Sequence, residues 1–538
     1  DQIALSGALT LNNTSASKFT VYLYGSATGW SGASTYTWDI ITAASLTGFT
    51  AGNFTTDLTN FGIASGLRTG TWTFSNPTAG NIRLTYTGAG GGNATWSGGA
   101  GNWSAGFSPA VGDGYNITYN GTAGGTSTND ISSSTLGSVG NITFTSGAGA
   151  YTLAANSGSA GVNSTTSLSL VGDIINNSSN TQTINTALGI GTVRIVDAAS
   201  GNITIGGAVT GGGGLTKNGT NTLTLAGSNT YTGATTINAG TLSLTGNLAN
   251  TAITVAGSSV LTQGAASIIS GTASLTQNSS GTTTLSGVNT YTGATTINAG
   301  TLSLTGNLAN TAITVAGSSV LTQGAASIIS GTASLTQNSS GTTTLSGVNT
   351  YTGATTIRAG TLQISGAGQL GSGSYSTNIT NNGTFLYAST ANQTLSGVIS
   401  GNGVLTKNAS STLTLSGANS YTGATTVNVG TLSIQGAQAG STSYTIASGA
   451  VLEWNTASGT RDPGTSTFSG NGTLLKSGAN NLQWGASAGT FAMGAGSLID
   501  VQGGIFVGGS GANDNWTNNY SSLNVASGAT FYGVEGNI

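Results

Sequence analysis

Residues 231–255 of the chain read YTGATTINAGTLSLTGNLANTAITV, and the same letters return at 291–315. The identity covers 231–297 and 291–357, at an offset of 60 residues, and first breaks where Asn238 and Asn298 give way to Arg358. A looser copy begins at Tyr421. Self-similarity at a fixed period predicts a solenoid, because a short unit cannot bury its own apolar face and must stack on its neighbour.

The pattern inside one unit predicts strands. Short apolar runs, such as Leu242 and Leu244 with Ser243 between them, end in Gly or Asn, and helical periodicity is absent. If one turn takes about 20 residues, the unit makes about three turns, stacked at the β spacing of about 4.8 Å. We therefore predict an all-β fold, a parallel β-helix with Leu, Ile and Val stacked inside and Thr, Ser and Asn forming outward ladders.

The composition excludes several classes of protein. Only 4% of the 538 residues are charged, 90 are glycine, and Thr, Val and Ile are abundant, unlike disordered segments, which are highly charged. Cysteine and histidine are absent, so we expect no disulfide, no imidazole base, no cofactor and no required metal. A net charge of −3 and the lack of a long apolar run predict no nucleic-acid binding and no membrane insertion by a helix.

One motif recurs around the repeats. It reads LTKNGTNTLTLAGSNTYTGATTINAGTL at 215–242 and LTKNASSTLTLSGANSYTGATTVNVGTL at 405–432, with a decayed form near Lys476. The motif resembles the autotransporter-associated β-strand repeat, also called the passenger-associated transport repeat. That resemblance implies a right-handed parallel β-helix on a secreted or surface-exposed bacterial protein. It covers residues 215–440.

The rest of the chain has other sequence patterns. WSGGAGNWS at 96–104 is similar to the opening of such β-helices, whereas FTVYLY at 19–24 and TYTWDI at 35–40 alternate aromatic and polar residues, which is typical of a half-buried antiparallel sheet. We predict a small N-terminal antiparallel β module at 1–90 and the start of the β-helix at 91–214. Passenger-type repeats follow at 215–440, and C-terminal turns of the β-helix at 441–538.

The tryptophans mark the two ends. None of the eight lies among the 350 residues between Trp103 and Trp454. Bulky caps for the terminal turns explain this distribution, and so do ends that dock onto other chains, because aromatic residues are enriched at interface hot spots.

Open β-helix ends invite a further strand, so we hypothesise that the N-terminal module of one copy completes the C-terminal end of the next, a head-to-tail contact that builds a filament. The candidate subunit-interface residues are Ile3, Leu5, Leu9, Tyr22, Tyr24, Trp30 and Trp38 at one end and Trp516, Tyr520, Phe531 and Tyr532 at the other.

A polysaccharide-acting enzyme is a less favoured alternative, because charged residues are too sparse for most catalytic sites. Between Lys217 and Arg358 tyrosine is the only ionisable residue, so no general acid, general base or carboxylate metal site can lie there. The strongest remaining cluster, which salt-bridged surface positions explain equally well, comprises Glu453, Arg461, Asp462, Lys476, Asp500 and Asp514. Its spacings predict a column of Glu453, Lys476 and Asp500, and Asp173, Arg194 and Lys217 form a similar one. We predict no catalytic residues and no enzyme.

These observations favour a secreted bacterial structural protein, located outside the cell or on its surface. Chains without charge lack mutual repulsion, so we expect a homopolymer, as an extracellular filament or a biofilm matrix. The alternative is an adhesin or passenger shaft whose aromatic N-terminal module binds a glycan or a host surface. Ranks such as Thr220, Thr222 and Thr224 could also form an ice-binding array, although the strand propensity of threonine explains them.

Overall fold

The structure, a computed structural model, describes residues 92–131 except 110 and 113, then 138–155, 167–440, 443–455, 466–483, 490–507, 515–516 and 522–532. Before residue 92 it describes ten strands. The chain divides into two compact units, residues 1–247 and 248–538.

The first ten strands of unit 1 combine two kinds of pairing. Strands β1 to β10 are Ile3–Ala4, Ala8–Thr10, Phe19–Tyr22, Gly25–Ser26, Thr35–Thr42, Ser45–Thr47, Phe54–Asp57, Phe61–Gly62, Thr71–Ser75 and Asn81–Thr87. Strand β10 lies antiparallel between β5 and β9, which confirms the predicted antiparallel sheet. The pairs β1–β5, β2–β6, β3–β7 and β4–β8 are parallel. Alternation could not reveal this second set, because both kinds of half-buried strand alternate.

Parallel pairing dominates the rest of unit 1. Helix α1 is Trp103–Gly106. Strands β11 to β28 are Asn93–Trp96, Gly101–Asn102, Phe107–Ser108, Tyr115–Tyr119, Gly125–Asn129, Ser138–Phe144, Tyr151–Ala155, Leu168–Leu170, Ile174–Asn176, Gln182–Ile184, Leu188–Ile190, Arg194–Asp197, Ile203–Ile205, Val209–Thr210, Leu215–Asn218, Thr222–Leu225, Thr235–Ile237 and Thr241–Leu244. Asn93 lies opposite Asn116, and Leu215 lies opposite Thr235 one turn later. Strand β13 is antiparallel to β11, whereas the other pairs described within unit 1 after β10 are parallel and join strands of successive turns.

Unit 2 contains the repeats and the strands that follow them. Strands β29 to β45 are Leu248–Ala249, Ala252–Val255, Val260–Gln263, Ile269–Ser270, Ser274–Gln277, Thr282–Leu285, Val288–Asn289, Thr295–Ile297, Thr301–Leu304, Asn307–Ala309, Ala312–Gly317, Val320–Gln323, Ile329–Ser330, Ser334–Ser339, Thr342–Leu345, Thr355–Ile357 and Thr361–Gly366. Strands β46 to β63 are Ser374–Tyr375, Ile379–Asn381, Thr384–Ser389, Gln393–Leu395, Ile399–Ser400, Val404–Leu415, Thr425–Ile434, Ser443–Ile446, Val451–Trp454, Thr467–Gly470, Thr473–Lys476, Leu482–Gln483, Thr490–Met493, Leu498–Val501, Ile505–Val507, Asn515–Trp516, Ser522–Val525 and Thr530–Tyr532.

Each turn of the repeat region in unit 2 has three strand positions, which we call sides A, B and C. Side A holds β30, β33, β36, β39, β42, β44 and β47, side B holds β31, β34, β37, β40, β43 and β45, and side C holds β29, β32, β35, β38 and β41. On side A, Leu275 pairs with Thr295, Ile313 follows, and Leu335 completes the period. Three turns therefore make one 60-residue repeat, and the predicted parallel β-helix is confirmed.

The core is a set of inward columns. On side B the column runs through Leu285, Leu304, Gln323 and Leu345, which lie in register on successive turns and are almost fully buried. Burying one Leu or Ile side chain contributes roughly 1.5–3 kcal/mol. The stack is therefore stabilised mainly by these columns, and a polar residue such as Gln323 can occupy one place in them.

The motif changes sides after the third repeat. Leu335 lies on side A, but the corresponding Leu405 pairs with Phe385 of β48, and β48 pairs with β45 of side B. The intervening turn is longer and contains the short 3₁₀ helix Gly371–Gly373, in which Ser372 has a left-handed backbone (φ 52°). The additional residues of this turn therefore rotate the following motif by one side of the solenoid.

Candidate functional surfaces and the polar core of the repeat

The predicted charged column in unit 2 is only partly correct. Glu453 and Asp500 do lie in one outward column, separated by Leu475. Lys476 lies in register with Trp454 and Val501 instead and is fully buried, so its place in the column was wrong. The physical reason is strand alternation, since residue 476 necessarily faces away from residue 475.

The two carboxylates of that column accept hydrogen bonds from neutral groups. Glu453 accepts one from the Ser477 hydroxyl at 2.6 Å, and Asp500 accepts bonds from the Gln502 and Asn524 amides. Arg461, Asp462 and Asp514, the other members of the predicted cluster, lie outside the described residues. Across the described parts of the chain, no group of three or more Asp, Glu, His or Cys could hold a metal ion.

The second predicted column, in unit 1, is also only partly correct, because it does not include the lysine. Asp173 accepts the backbone N–H of Ile195 at 2.8 Å, and burial lowers the pKa of the neighbouring Arg194 while Asp173 opposes that effect. Lys217 pairs in register with Val196 and is fully buried. The prediction was wrong for Lys217, because this residue belongs to the inward face of its strand.

Lys217 instead closes a corner of the solenoid. Its Nζ donates to the carbonyl oxygens of Asn218 at 2.7 Å, Gly219 at 2.7 Å and Ala239 at 3.1 Å. Asn218 ends strand β25, and its carbonyl also accepts the backbone N–H of Ala198 at 3.1 Å. Gly219 and Ala239 lie in the bends that follow β25 and β27. Since buried carbonyls need donors, the lysine supplies an additional donor at this corner.

The same corner recurs through the repeats with different donors. At the matching position in the central copies, Gln277 donates from Nε2 to the carbonyls of Ser279 and Gly281, both at 3.1 Å. We call this position the corner plug; its members are Lys217, Gln277, Gln337 and Lys407, and Lys476 makes the same kind of contacts in the decayed copy. The position therefore requires a long donor side chain rather than a charge.

Burial changes the acidity of the lysine plugs. Desolvation lowers the pKa of Lys217 to about 8, against an opposing effect of Asp197, and lowers the pKa of Lys407 to about 8. Burial also lowers the pKa of Lys476. A lysine with a lowered pKa can act as a nucleophile, but only where a substrate reaches it. All three side chains are fully buried, so their geometry is that of structural donors.

A second polar contact fixes another corner of each central copy in unit 2. Gln263 and Asn289 exchange amide hydrogen bonds of 2.7 and 3.0 Å, and Gln323 and Asn349 do the same at 2.6 and 3.0 Å. The Asn289 oxygen also accepts the backbone N–H of Ile269 from the preceding turn. The asparagine of the motif therefore joins successive turns.

The motif tyrosine is a core residue. Tyr231, Tyr291, Tyr351 and Tyr421 are buried, and each shares a hydrogen bond of 2.6 to 2.9 Å with the threonine four residues later. Burial raises the pKa of each phenol, in the case of Tyr421 to about 12. The recurrent Tyr-x-x-x-Thr pattern therefore packs the interior and is not a ligand surface.

The polar exterior contains the ladders predicted from the sequence. Asn298 donates its amide to Asn278 at 2.8 Å, and the hydroxyls of Ser286 and Thr305 lie 2.9 Å apart. Side B also carries Thr284, Ser303 and Thr322 in register. Neutral side-chain pairs thus cover the outside of the repeats without ion pairs.

Three tryptophans belong to the core. Trp96, Trp103 and Trp454 are each 1% exposed, and the Trp103 N–H donates to the Ser127 hydroxyl at 2.8 Å. Trp96 stacks edge-on against Phe107 at 5.0 Å. These three side chains therefore close the interior of their turns and are not available as docking residues.

The predicted interface residues are placed unevenly. Leu5, Tyr24, Trp30 and Tyr520 lie outside the described residues, and Ile3, Leu9, Tyr22, Trp38 and Trp516 lie on described strands without described side chains. Phe531 stacks on Phe506 with ring centroids 5.3 Å apart, and Tyr532 is 56% exposed. Their role as a subunit interface stays a prediction.

The polar core was missed by the sequence analysis, although a signal existed. Lys217 follows Leu215 by two residues in an alternating strand, which places both side chains on one face. The same rule applies to Leu275 and Gln277.

Within the described part of the chain, no helix is long and apolar enough to cross a membrane.

Comparison with known families supports the motif. The passenger-associated-transport-repeat model matches residues 215–244, 275–304, 335–364 and 405–434, which confirms the resemblance. The second and third matches are the copies in which glutamine replaces the lysine plug. No curated protein and no solved structure matches the chain. The four repeats and the parallel β-solenoid fit a passenger-type domain, a kind of domain that is usually structural and is secreted or displayed at the cell surface.

Proposed function

We propose that the chain is a secreted structural shaft whose copies associate into an extracellular filament or surface matrix, without a catalytic site of its own. The observation that carries this proposal is the neutral repeat: from residue 248 to residue 357 the sequence has no Asp, Glu, Lys or Arg. Acid, base or metal catalysis requires ionisable groups that a substrate can reach, and the tyrosines of this stretch, Tyr291 and Tyr351, are buried, whereas a stiff stacked scaffold requires no such groups.

The neutral exterior supports association. Hydroxyl and amide ladders cover sides A and B, so two copies can approach without desolvating a charge and with little electrostatic repulsion. Head-to-tail growth through the N-terminal strands extends the proposal. It is supported by the parallel pairs among β1 to β8, because strands that pair in parallel can continue the parallel ladder at a solenoid end.

Negative-stain electron microscopy of the full chain over a dilution series tests the proposal. Filaments or sheets that become shorter on dilution are expected. A variant that lacks residues 1–12 should lose filaments and keep its β-rich circular dichroism if growth is head to tail. Isolated particles at every concentration of the unmodified chain would contradict association.

A second candidate function is a shaft that displays a ligand site. It is favoured by a groove of about 300 Å³ where the repeats are interrupted, lined mainly by hydroxyl side chains and by backbone, including Thr350, Thr352, Ser374 and Thr377. Such a lining suits neutral, hydroxyl-rich ligands. Specific retention on a glycan array that is lost in a Thr352→Val, Ser374→Ala variant would favour this function over a purely structural one.

A further inference from the structure

One column on side C differs from the rest of the repeat exterior. Val288 pairs with Asn307, and the Leu308–Ile329 pair places Ile328 beside Asn307 on the next turn. The N–H groups of Thr290 and Thr350 donate to the carbonyls of Ile269 and Ile329, which places Ile268 before Val288 and Val348 after Ile328. Val288 is 51% exposed, Val348 39% and Ile268 37%. We call these five residues the apolar ridge. At about 4.8 Å per turn the ridge is roughly 19 Å long.

The ridge concentrates the exposed apolar surface of the repeats. Between residues 248 and 400 of the described chain, the large apolar side chains that are exposed are Ile268, Val288 and Val348. On the same turns the outward positions of side A are threonines, such as Thr276, Thr296 and Thr314. Exposed apolar residues scattered singly need no explanation, but this column holds two apolar pairs on adjacent turns, Ile268 with Val288 and half-buried Ile328 with Val348, on either side of Asn307.

The spacing of the ridge identifies what it fits. Its members recur with the 60-residue period, Ile268 with Ile328 and Val288 with Val348. A surface that meets it at each turn must have the same rise of about 4.8 Å, which is the rise of another parallel β-solenoid. The surroundings of the ridge carry no charge between Lys217 and Arg358, so a charged partner would lose hydration without a counter-ion. A second copy of this chain satisfies both conditions.

We propose that the apolar ridge is the side-by-side contact between two copies of the chain. The inference rests on the proposed function, since it specifies the surface through which the shafts associate. One ridge is narrow, so a single turn contributes weakly. Contacts repeated along aligned shafts add up, because each contact made holds the next pair of turns close together.

Cysteine cross-linking tests the ridge directly, because the chain contains no native cysteine. Val288→Cys places a thiol on the ridge, and Thr282→Cys places one at an exposed position of side B on the same turn. In full chains under mild oxidation, we expect Val288→Cys to give a covalent dimer in at least fivefold higher yield than Thr282→Cys. Equal yields, or a higher yield for Thr282→Cys, would overturn the assignment of side C.

Charge variants separate failure of the ridge from failure of the proposed function. We expect Val288→Lys combined with Val348→Lys to weaken association at least tenfold, and Thr282→Lys combined with Thr342→Lys to weaken it much less. Both pairs change exposed or half-exposed positions, and circular dichroism of the monomers checks that the fold is kept. If the unmodified chain associates and the two pairs behave alike, the ridge is wrong and the proposed function stands. If the unmodified chain does not associate at all, both fail.

Discussion

The lysine corners and the glutamine corners of the solenoid solve one structural problem with different chemistry. At Lys217, Lys407 and Lys476 an ammonium group donates to carbonyls at the corner. At Gln277 and Gln337 a neutral amide donates to two carbonyls, of which those of Ser279 and Ser339 are equivalent to that of Gly219. The difference teaches that the corner requires reach and a donor. Charge is tolerated there but is not needed.

The two solutions differ in their energetic consequences. A buried ammonium loses hydration, which is why the pKa of Lys217 and of Lys407 falls to about 8, and a buried amide loses much less. The glutamine copies are also the ones repeated without change. With glutamine at positions 277 and 337, the stretch between Lys217 and Arg358 contains no charged side chain, as the proposed association requires.

The largest expected effect comes from closing the corner sterically. Gly300 has a left-handed backbone (φ 63°), and a Cβ there would overlap the carbonyl oxygens of Ser279 and Gly281, the same two that Gln277 holds. We expect Gly300→Ala to destabilise its turn by roughly 3 kcal/mol or more. Faster hydrogen exchange of the neighbouring backbone amides would measure this loss. Gly212→Ala is the control, because no atom lies within 4 Å of a Cβ at that position. Equal protection in both variants would show that the corner is loosely packed.

Removing the side-chain donor should destabilise the glutamine corners and the lysine corners by different amounts. Gln337→Met leaves the carbonyls of Ser339 and Gly341 without their side-chain donor, and we expect a loss of roughly 2–4 kcal/mol, measured by local hydrogen exchange. Lys407→Met removes a donor, which destabilises the corner, and also removes a buried charge, which relieves its desolvation cost. The second effect offsets part of the first, so we expect a smaller loss of stability than for Gln337→Met. A greater loss at Lys407 than at Gln337 would contradict the view that the charge is only tolerated.

The lysine corners should make stability depend on pH. Their folded pKa lies below the ordinary value of 10.5, so between about pH 8 and 10 the unfolded chain binds more protons and stability rises with pH. We expect a gain on the order of 1 kcal/mol per lysine over that range, measured by urea denaturation at each pH. Above pH 10 the buried tyrosines act in the opposite direction, because their raised pKa values favour the unfolded phenolate. A variant with glutamine at positions 217, 407 and 476 should lose the rise below pH 10, and an unchanged rise would assign it to other groups.

The smallest expected effect comes from exchanging lysine and glutamine at the corner position. Because glutamine occupies this corner naturally, Lys407→Gln should change the free energy of unfolding at pH 7 by less than about 1 kcal/mol, in the stabilising direction if at all. The reciprocal Gln277→Lys should destabilise its turn slightly at pH 7 and recover above pH 8. Thermal unfolding of both variants at two pH values measures this, and a severe loss in Lys407→Gln would mean that the ammonium itself is required.

The sequence predicted the solenoid well because its signal is repetitive. Identical 60-residue units, short alternating strands and the motif at 215–242 each indicate stacked turns, and the structure has them. The corner plugs escaped prediction because Lys217 was interpreted by its charge and not by its place in an alternating strand. The change of side near Ser372 could not be predicted either, since it depends on how a longer turn folds.

The apolar ridge shows another limit of prediction. Val288 and Val348 have the same sequence pattern as core residues of other strands, and only the register of side C places them outward. The candidate interface at the chain ends, in contrast, came from the tryptophan distribution. Three of the eight tryptophans, Trp96, Trp103 and Trp454, are core residues, but none of them is among the candidate interface residues, so the interface at the chain ends stays a prediction.

Sedimentation velocity of the full chain, over a wide concentration range at low and at high salt, tests most directly whether this neutral shaft acts by association. The account predicts sedimentation coefficients that rise with concentration and change little with salt, because neutral surfaces are not screened. A single monomeric species at every concentration would contradict it, and so would association that disappears on adding salt.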